Sequence, residues 1–154
     1  MKDRELSLSF RRLDPASDKE ITKELFSSVF CAAPWYDDWS DPVQLDSYIT
    51  DLTGQSYSLS YGLFEGEELI GLSMGHIKHW YSGTEYLIDE FCIRTDRQGR
   101  GLGSFFMSKI EEDLRTMDLH CIYLQTARDF PAFDFYKKNG FSEVEETVAL
   151  YKTF

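Results

Sequence analysis

Residues 90–103, Glu90-Phe-Cys-Ile-Arg-Thr-Asp-Arg-Gln-Gly-Arg-Gly-Leu-Gly103, constrain the fold of this chain more than any other run. An apolar strand enters a glycine-rich turn, and the turn opens a helix whose apolar residues Leu102, Phe106, Ile110 and Leu114 recur every fourth position. Glycines let backbone approach a ligand, and the free N–H groups of a helix N-terminus bind phosphate oxygens. Arg94, Arg97 and Arg100 stand against Asp96 alone in residues 91–103, so positive charge gathers here in a chain of formal net charge −11. The expectation is an anion site, with a pyrophosphate as its ligand; a plain turn without ligand is the alternative. A P-loop is excluded because no Lys stands where GxxxxGK[ST] requires one. The dinucleotide fingerprint fails as well, because Ser104 occupies its last position and the run lies mid-chain.

Periodicity supplies the neighbouring elements. Leu6, Leu8 and Phe10 alternate with polar residues as a first strand. Ser17 is placed to cap a helix with apolar positions Ile21, Leu25, Phe26 and Val29, and Asp41-Pro42 starts a second helix with stripe Leu45, Tyr48, Ile49 and Leu52, ended by Gly54. Residues 57–64, 68–80 and 84–93 read as strands joined by the turns Glu65-Gly66-Glu67 and Tyr81-Ser82-Gly83. After the glycine turn and its helix come a strand over 121–126, a short helix over 131–138 closed by Asn139-Gly140, and a last strand over 141–152. The order β-α-α-β-β-β-α-β-α-β predicts one domain over 1–154, α/β in class, with a mixed sheet whose first half is built of hairpins.

Net charge −11 repels phosphate backbones and anionic lipid, which argues against nucleic-acid and membrane partners. No run approaches the roughly 18 apolar residues of a membrane span. The first ten residues lack the basic and apolar regions of a secretory signal. Cys31, Cys92 and Cys121 form no CxxC pair and sit among apolar neighbours in sequence, so they are expected as buried, reduced thiols. His76, His79 and His120 make no metal motif. The expectation is a soluble, cytoplasmic protein without metal.

Two motifs carry a family resemblance. Gln98-Gly99-Arg100-Gly101-Leu102-Gly103 resembles the Q/R-x-x-G-x-G/A loop of the GCN5-related N-acetyltransferase (GNAT) superfamily. Pro131-Ala132-Phe133-Asp134-Phe135-Tyr136-Lys137-Lys138-Asn139-Gly140-Phe141 resembles its A-x-x-x-Y-x-x-x-G-F segment, one helix and one strand later, as in that family. The resemblance implies the GNAT fold, a mostly antiparallel sheet with parallel fourth and fifth strands splayed around acetyl-CoA. It implies backbone contacts to the thioester near Cys92 and Ile93, and pyrophosphate held by Gln98, Gly99, Arg100, Gly101, Leu102 and Gly103, with Ser104 nearby. The family often has Asn three residues before the motif Ala; here it is Asp129, which bears on a contact to the pantetheine arm.

The implied activity is acetyl transfer from acetyl-CoA to a primary amine by direct attack on the thioester. An alkyl ammonium is only about 0.1% neutral at pH 7, so a base should assist, and backbone N–H groups can stabilise the oxyanion. Tyr136 takes the family's general-acid position. Asp89 and Glu90 are the candidate bases, an acidic pair that resembles the one in polyamine acetyltransferases, and strand alternation sends them to opposite faces unless a bulge intervenes. The acceptor is expected against the loop 34–41, where Trp35, Tyr36, Asp37 and Asp38 combine aromatic faces with carboxylates, a composition that suits a small cation such as a polyamine or aminoglycoside. Burial of the tryptophans and solvation of the aspartates is the plain alternative for that loop. A protein or peptide acetyltransferase and a non-catalytic acyl-CoA sensor are the competing functions, and the aromatic segment 148–154 is a candidate dimer contact.

Overall fold

The computed structural model describes residues 7–154. Leu6 lies outside them, and the first strand, β1, covers Leu8–Arg12. Helices α1 (Lys19–Phe30) and α2 (Pro42–Thr53) follow, then the antiparallel strands β2 (Ser58–Glu65), β3 (Glu68–Trp80) and β4 (Gly83–Ile93). One turn of 3-10 helix, Thr95–Arg97, leads to α3 (Leu102–Thr116), β5 (Ile122–Leu124) and α4 (Pro131–Lys138). The sheet order is β1-β2-β3-β4-β5, antiparallel except for the parallel pair β4–β5. No described helix is long and apolar enough to cross a membrane.

Helices cover both faces of this sheet, which is why β2 and β3 are buried along most of their length. On one face α3 and α4 close a core of Tyr61, Ile70, Tyr86, Ile88, Phe106 and Ile110. On the other, α1 and α2 pack Phe26, Val29 and Ile49 against Leu72, Met74 and Cys92. Asp41 caps α2 as expected, accepting from the N–H groups of Val43 and Gln44 at 2.9 and 3.3 Å.

Ser17 does not cap α1. Its N–H and hydroxyl both turn to Asp14 Oδ1, and the helix starts after Asp18. The Asp18 carboxylate accepts two bonds from Arg11, at 2.8 and 3.0 Å, and one from the Asp14 N–H at 2.7 Å. A two-pronged Arg partner and a short amide bond hold this carboxylate below its ordinary range and leave nothing for the helix end. The cysteines divide: Cys92 is buried, whereas Cys31 and Cys121 are exposed, because neighbours in sequence are not the neighbours that cover a side chain in space.

The last expected strand is missing. Residues 141–154 pair with no strand, and Val148, Leu150, Tyr151 and Phe154 are almost fully exposed. Apolar alternation marks a segment able to pair, but β5 spans only three residues and the segment forms no ladder with it.

Candidate active site

The β4–β5 pairing joins Tyr86 to Ile122, Leu87 to Tyr123 and Ile88 to Leu124, and stops there. From Asp89 onward β4 has β3 on one side and no strand on the other, so the sheet splays open beside Cys92 and Ile93. Backbone groups on that free edge are available to a ligand.

Glycine geometry shapes the floor of the opening. Gly99 and Gly101 both have φ +77°, with no atom within 4 Å of where a Cβ would sit. That left-handed backbone is accessible to glycine without cost, and it turns the chain from the 3-10 turn into α3. The N–H groups of Leu102, Gly103 and Ser104 in the first turn of α3 have no backbone acceptor among the described residues. Gln98 faces inward: its Nε2 donates to the Ile93 carbonyl at 2.9 Å and ties the loop to the end of β4. Gly103 has a different task, since a Cβ there would lie 2.8 Å from the Phe135 ring. It allows α3 and α4 to meet. Gly103→Ala is therefore expected to cost about 1–3 kcal/mol through overpacking, read as a Tm several degrees lower in a thermal melt.

The three arginines of this region are not equivalent. Arg94 pairs with Glu68 and Asp96, and Arg97 pairs with Glu65 and Asp96. Of the three, Arg100 alone has no carboxylate partner among the described residues. The positive charge expected around the glycine turn is thus largely neutralised, and Arg100 with the α3 N-terminus is what remains for an anion. Asp129 is exposed in the turn between β5 and α4, beside Arg128, which pairs with Glu143.

Asp89 and Glu90 do not go to opposite faces. In the β3–β4 ladder Met74 faces Glu90 and Gly75 faces Ile88, so Asp89 is an extra residue, a β-bulge. Ile88, Phe91 and Ile93 all pack on the α3–α4 side as a result, while Cys92 packs on the α1–α2 side. Glu90 meets α2, accepting a 2.6 Å bond from the Tyr48 hydroxyl. Asp89 bonds His76 Nδ1 at 3.0 Å. His76 adjoins Gly75, whose Cβ would strike the Tyr86 ring on the α3 side, so His76 and Asp89 share the α1–α2 face with Glu90.

Burial pushes the Glu90 carboxyl above its ordinary pKa; the Tyr48 bond opposes this, and the charges of Asp37 and Asp89 reinforce it. The charges of Asp37 and Asp89 thus both act on Glu90; Asp89 pairs with His76, and none of the three carboxylates pairs with Lys or Arg among the described residues. Tyr48 and His76 were missed by periodicity alone. Tyr48 reads there as one more member of an apolar stripe, although a tyrosine on a buried stripe needs a partner for its hydroxyl.

The loop 34–41 divides between core and site. Trp35 packs edge-on against Phe30 and Phe130, and Trp39 stacks on Tyr48 at 4.8 Å. Trp39 Nε1 is buried without a hydrogen-bond partner among the described residues. Asp38 accepts from the Ser40 N–H at 3.0 Å, and the Ser40 hydroxyl and amide hold its carboxyl below the usual range. It shapes a local turn. Tyr36 is exposed, at φ +52°.

Tyr136 of α4 lies on the opposite face, edge-on to Phe91 and Phe141. Burial, with the charges of Glu90 and Cys92, raises its phenol far above the ordinary value, so it keeps its proton at neutral pH. Its hydroxyl has no protein partner among the described residues.

Comparison with known proteins bears on the family and the fold. The model of the acetyltransferase (GNAT) family matches residues 20–141. A sequence comparison with curated proteins gives no match. Among solved structures, an aminoglycoside acetyltransferase from an uncultured soil metagenomic sample, in complex with sisomicin, superposes with a TM-score of 0.75 at 18% identity, covering 96% of each chain. AAC(6')-Iy, solved in complex with a bisubstrate analogue, gives 0.73 at 14% identity over 96% of this chain and 99% of that one. The ribosomal-protein-alanine N-acetyltransferase of Brucella melitensis biovar Abortus 2308 gives 0.76 at 13% identity, over 96% and 100% respectively.

Proposed function

Since the chain belongs to the acetyltransferase (GNAT) family, we propose that it moves an acetyl group from acetyl-CoA to a primary amine of a small polycation. One observation carries the choice of acceptor: the bulge at Asp89 brings two successive carboxylates onto one face, the charge of Asp37 acts on Glu90 as well, and among the described residues no Lys or Arg pairs with any of the three. Such a face attracts an ammonium group, and a second positive charge on the same molecule finds a second carboxylate.

The residues of the cleft fit acetyl-CoA. The open positive-φ glycines Gly99 and Gly101 leave room at the backbone, and the first N–H groups of α3 with Arg100 suit the pyrophosphate. Gln98, Leu102, Gly103 and Ser104 complete that turn, while Asp129 borders the pantetheine path. The free edge of β4 at Cys92 and Ile93 takes the amide groups in place of a strand. Acetyl-CoA when bound supplies the activated acyl group. Glu90, raised in pKa and held by Tyr48, removes the ammonium proton so that the amine nitrogen bonds the carbonyl carbon. Asp89 and Asp37 hold the cation, with Trp35, Tyr36 and Asp38 at the rim. Backbone N–H groups of β4 stabilise the charge that develops on the carbonyl oxygen. As the carbon–sulfur bond breaks, Tyr136 gives its proton to the thiolate. The exposed free thiols of Cys31 and Cys121 suit a reducing compartment, the cytoplasm.

The test is CoA thiol release from acetyl-CoA against polyamines, aminoglycosides, amino acids and basic peptides, with no-acceptor controls. Saturable turnover with small polycations is the expected result, with KM rising with salt. Turnover confined to peptides would move the acceptor to a protein terminus or lysine. Tight acetyl-CoA binding without turnover on any acceptor would make the chain a sensor.

A further inference from the structure

Glu90 has two carboxylate oxygens, and the fold treats them differently. Oε1 accepts the Tyr48 hydroxyl at 2.6 Å, whereas Oε2 has no protein partner among the described residues. The bond joins residues 42 apart in sequence, so it exists only because α2 packs on the sheet. The apolar stripe of α2 buries Ile49 completely, and the neighbouring Tyr48 reaches β4 from the edge of that contact. Its ring is fixed on two sides. Trp39 stacks on it at 4.8 Å and 23°, and Phe26 of α1 meets it tilted at 5.6 Å. Trp39 stays in this stack although its buried Nε1 finds no partner among the described residues, a cost that aromatic contacts to Tyr48 and Phe26 offset. A hydroxyl held in this way loses little further freedom when it donates.

We infer that Tyr48 is a positioning residue for acetyl transfer: by occupying Oε1 of Glu90 it assigns Oε2 to the ammonium proton, and by donating to the carboxylate it keeps Glu90 available as a base. This rests on the reading of Glu90 as that base. The proton passes from the ammonium nitrogen to Oε2, the nitrogen keeps the electron pair, and Tyr48 keeps its own proton throughout. Burial, and then the bond to Glu90, push the Tyr48 phenol far above its ordinary value, so at neutral pH it donates and does not accept. The groups around Glu90 act on it in opposite senses. Burial raises its pKa, Tyr48 of α2 lowers it, and the charges of Asp37, before α2, and Asp89 raise it again. Asp89 in turn bonds His76 of β3, and Met74, opposite Glu90 on β3, carries no charge. Cys92 of β4 and Tyr136 of α4 are raised by burial and then by the Glu90 charge, so both are neutral beside it. Tyr48 is thus the one neighbour among the described residues that favours the ionised base.

Tyr48→Phe tests the inference, because it keeps the ring and its stack and removes only the donor. Two readouts are taken on the full chain. Carbon-13 NMR follows the titration of the Glu90 carboxyl, assigned by the signal that Glu90→Gln lacks, and needs no turnover. CoA thiol release with a diamine acceptor gives kcat/KM against pH. In Tyr48→Phe the Glu90 midpoint and the acid limb of kcat/KM are both expected to move to higher pH by about one to two units, the ten- to hundredfold worth of a hydrogen bond to a charged group. Below the limb the rate falls by the same factor. Tyr48→Phe added to Glu90→Gln is expected to lower kcat/KM no further, since the two residues act as a unit. A merely structural role would lower the rate equally at every pH and leave the midpoint in place. An unmoved Glu90 midpoint, or an undiminished loss in the Glu90→Gln background, would overturn the inference. The two levels fail separately: an acid limb that survives Glu90→Gln strikes the reading of Glu90 as base, whereas a limb lost there with an unmoved midpoint in Tyr48→Phe strikes the positioning role alone.

Discussion

Replacing Glu90 with Gln is expected to lower kcat/KM for amine acetylation by about 10²–10⁴-fold, the range a positioned general base supplies, and to raise the thermal stability of the protein at neutral pH. Both effects follow from one environment. Glu90 is held largely out of water, near Asp37 and Asp89, and its pKa is raised in the folded state. A carboxyl with a raised folded pKa contributes stability that is fully present below its unfolded value and is lost as pH rises through the folded one. Gln carries no charge to desolvate and still accepts the Tyr48 hydroxyl at the same oxygen. Melting curves of the two proteins should therefore converge in acid and separate above the ordinary carboxylate range, with the variant the more stable. The rate profile should lose its acid limb in the variant. An unchanged rate would assign proton removal to Asp89 or to solvent, and an unchanged Tm at pH 7 would mean that Glu90 is better solvated than its position implies.

Tyr136→Phe is the second large effect. kcat is expected to fall by about 10²–10³-fold, with acetyl-CoA affinity nearly unchanged in calorimetric titration. The ring packs against Phe91, Phe135 and Phe141, and Phe fills the same space. The hydroxyl has no protein partner among the described residues, so its loss leaves no orphaned group and Tm should hold. A kcat deficit without a binding or folding deficit is the signature of a proton donor. Equal turnover in the variant would leave the thiolate to depart unprotonated or to take its proton from water.

Local signals were the legible part of this fold. Asp41-Pro42 marked the start of α2, and the every-fourth-residue pattern from Leu102 marked α3, because caps and helical stripes are written within a dozen residues. The glycine turn was legible in the same way, with Gly99 and Gly101 at the left-handed positions. What alternation could not reveal was the bulge at Asp89, since period 2 assumes an unbroken ladder. Gly75, opposite the bulge, was the available sign: a glycine inside a strand marks close backbone approach, and a Cβ there would lie 2.4 Å from the Leu87 carbonyl oxygen. The ion pairs that neutralise Arg94 and Arg97 join residues about thirty apart, and charge counted along a segment does not see them. Pattern also marked 141–152 as a strand that the fold does not form, because pairing depends on what edge is within reach.

The bulged position has a consequence for how this strand tolerates insertion and loss. Residues before it, Leu87 and Ile88, and after it, Glu90 and Phe91, keep their sides only because Asp89 is supernumerary. Removing Asp89 would leave Ile88, Phe91 and Ile93 facing the same core in an ordinary alternating ladder. β4 can therefore gain or shed one acidic group on the α1–α2 face by a single-codon insertion or deletion, without repacking the interior. For the acceptor site proposed above, a strand with one such removable residue is a place where the number of carboxylates can change in one step.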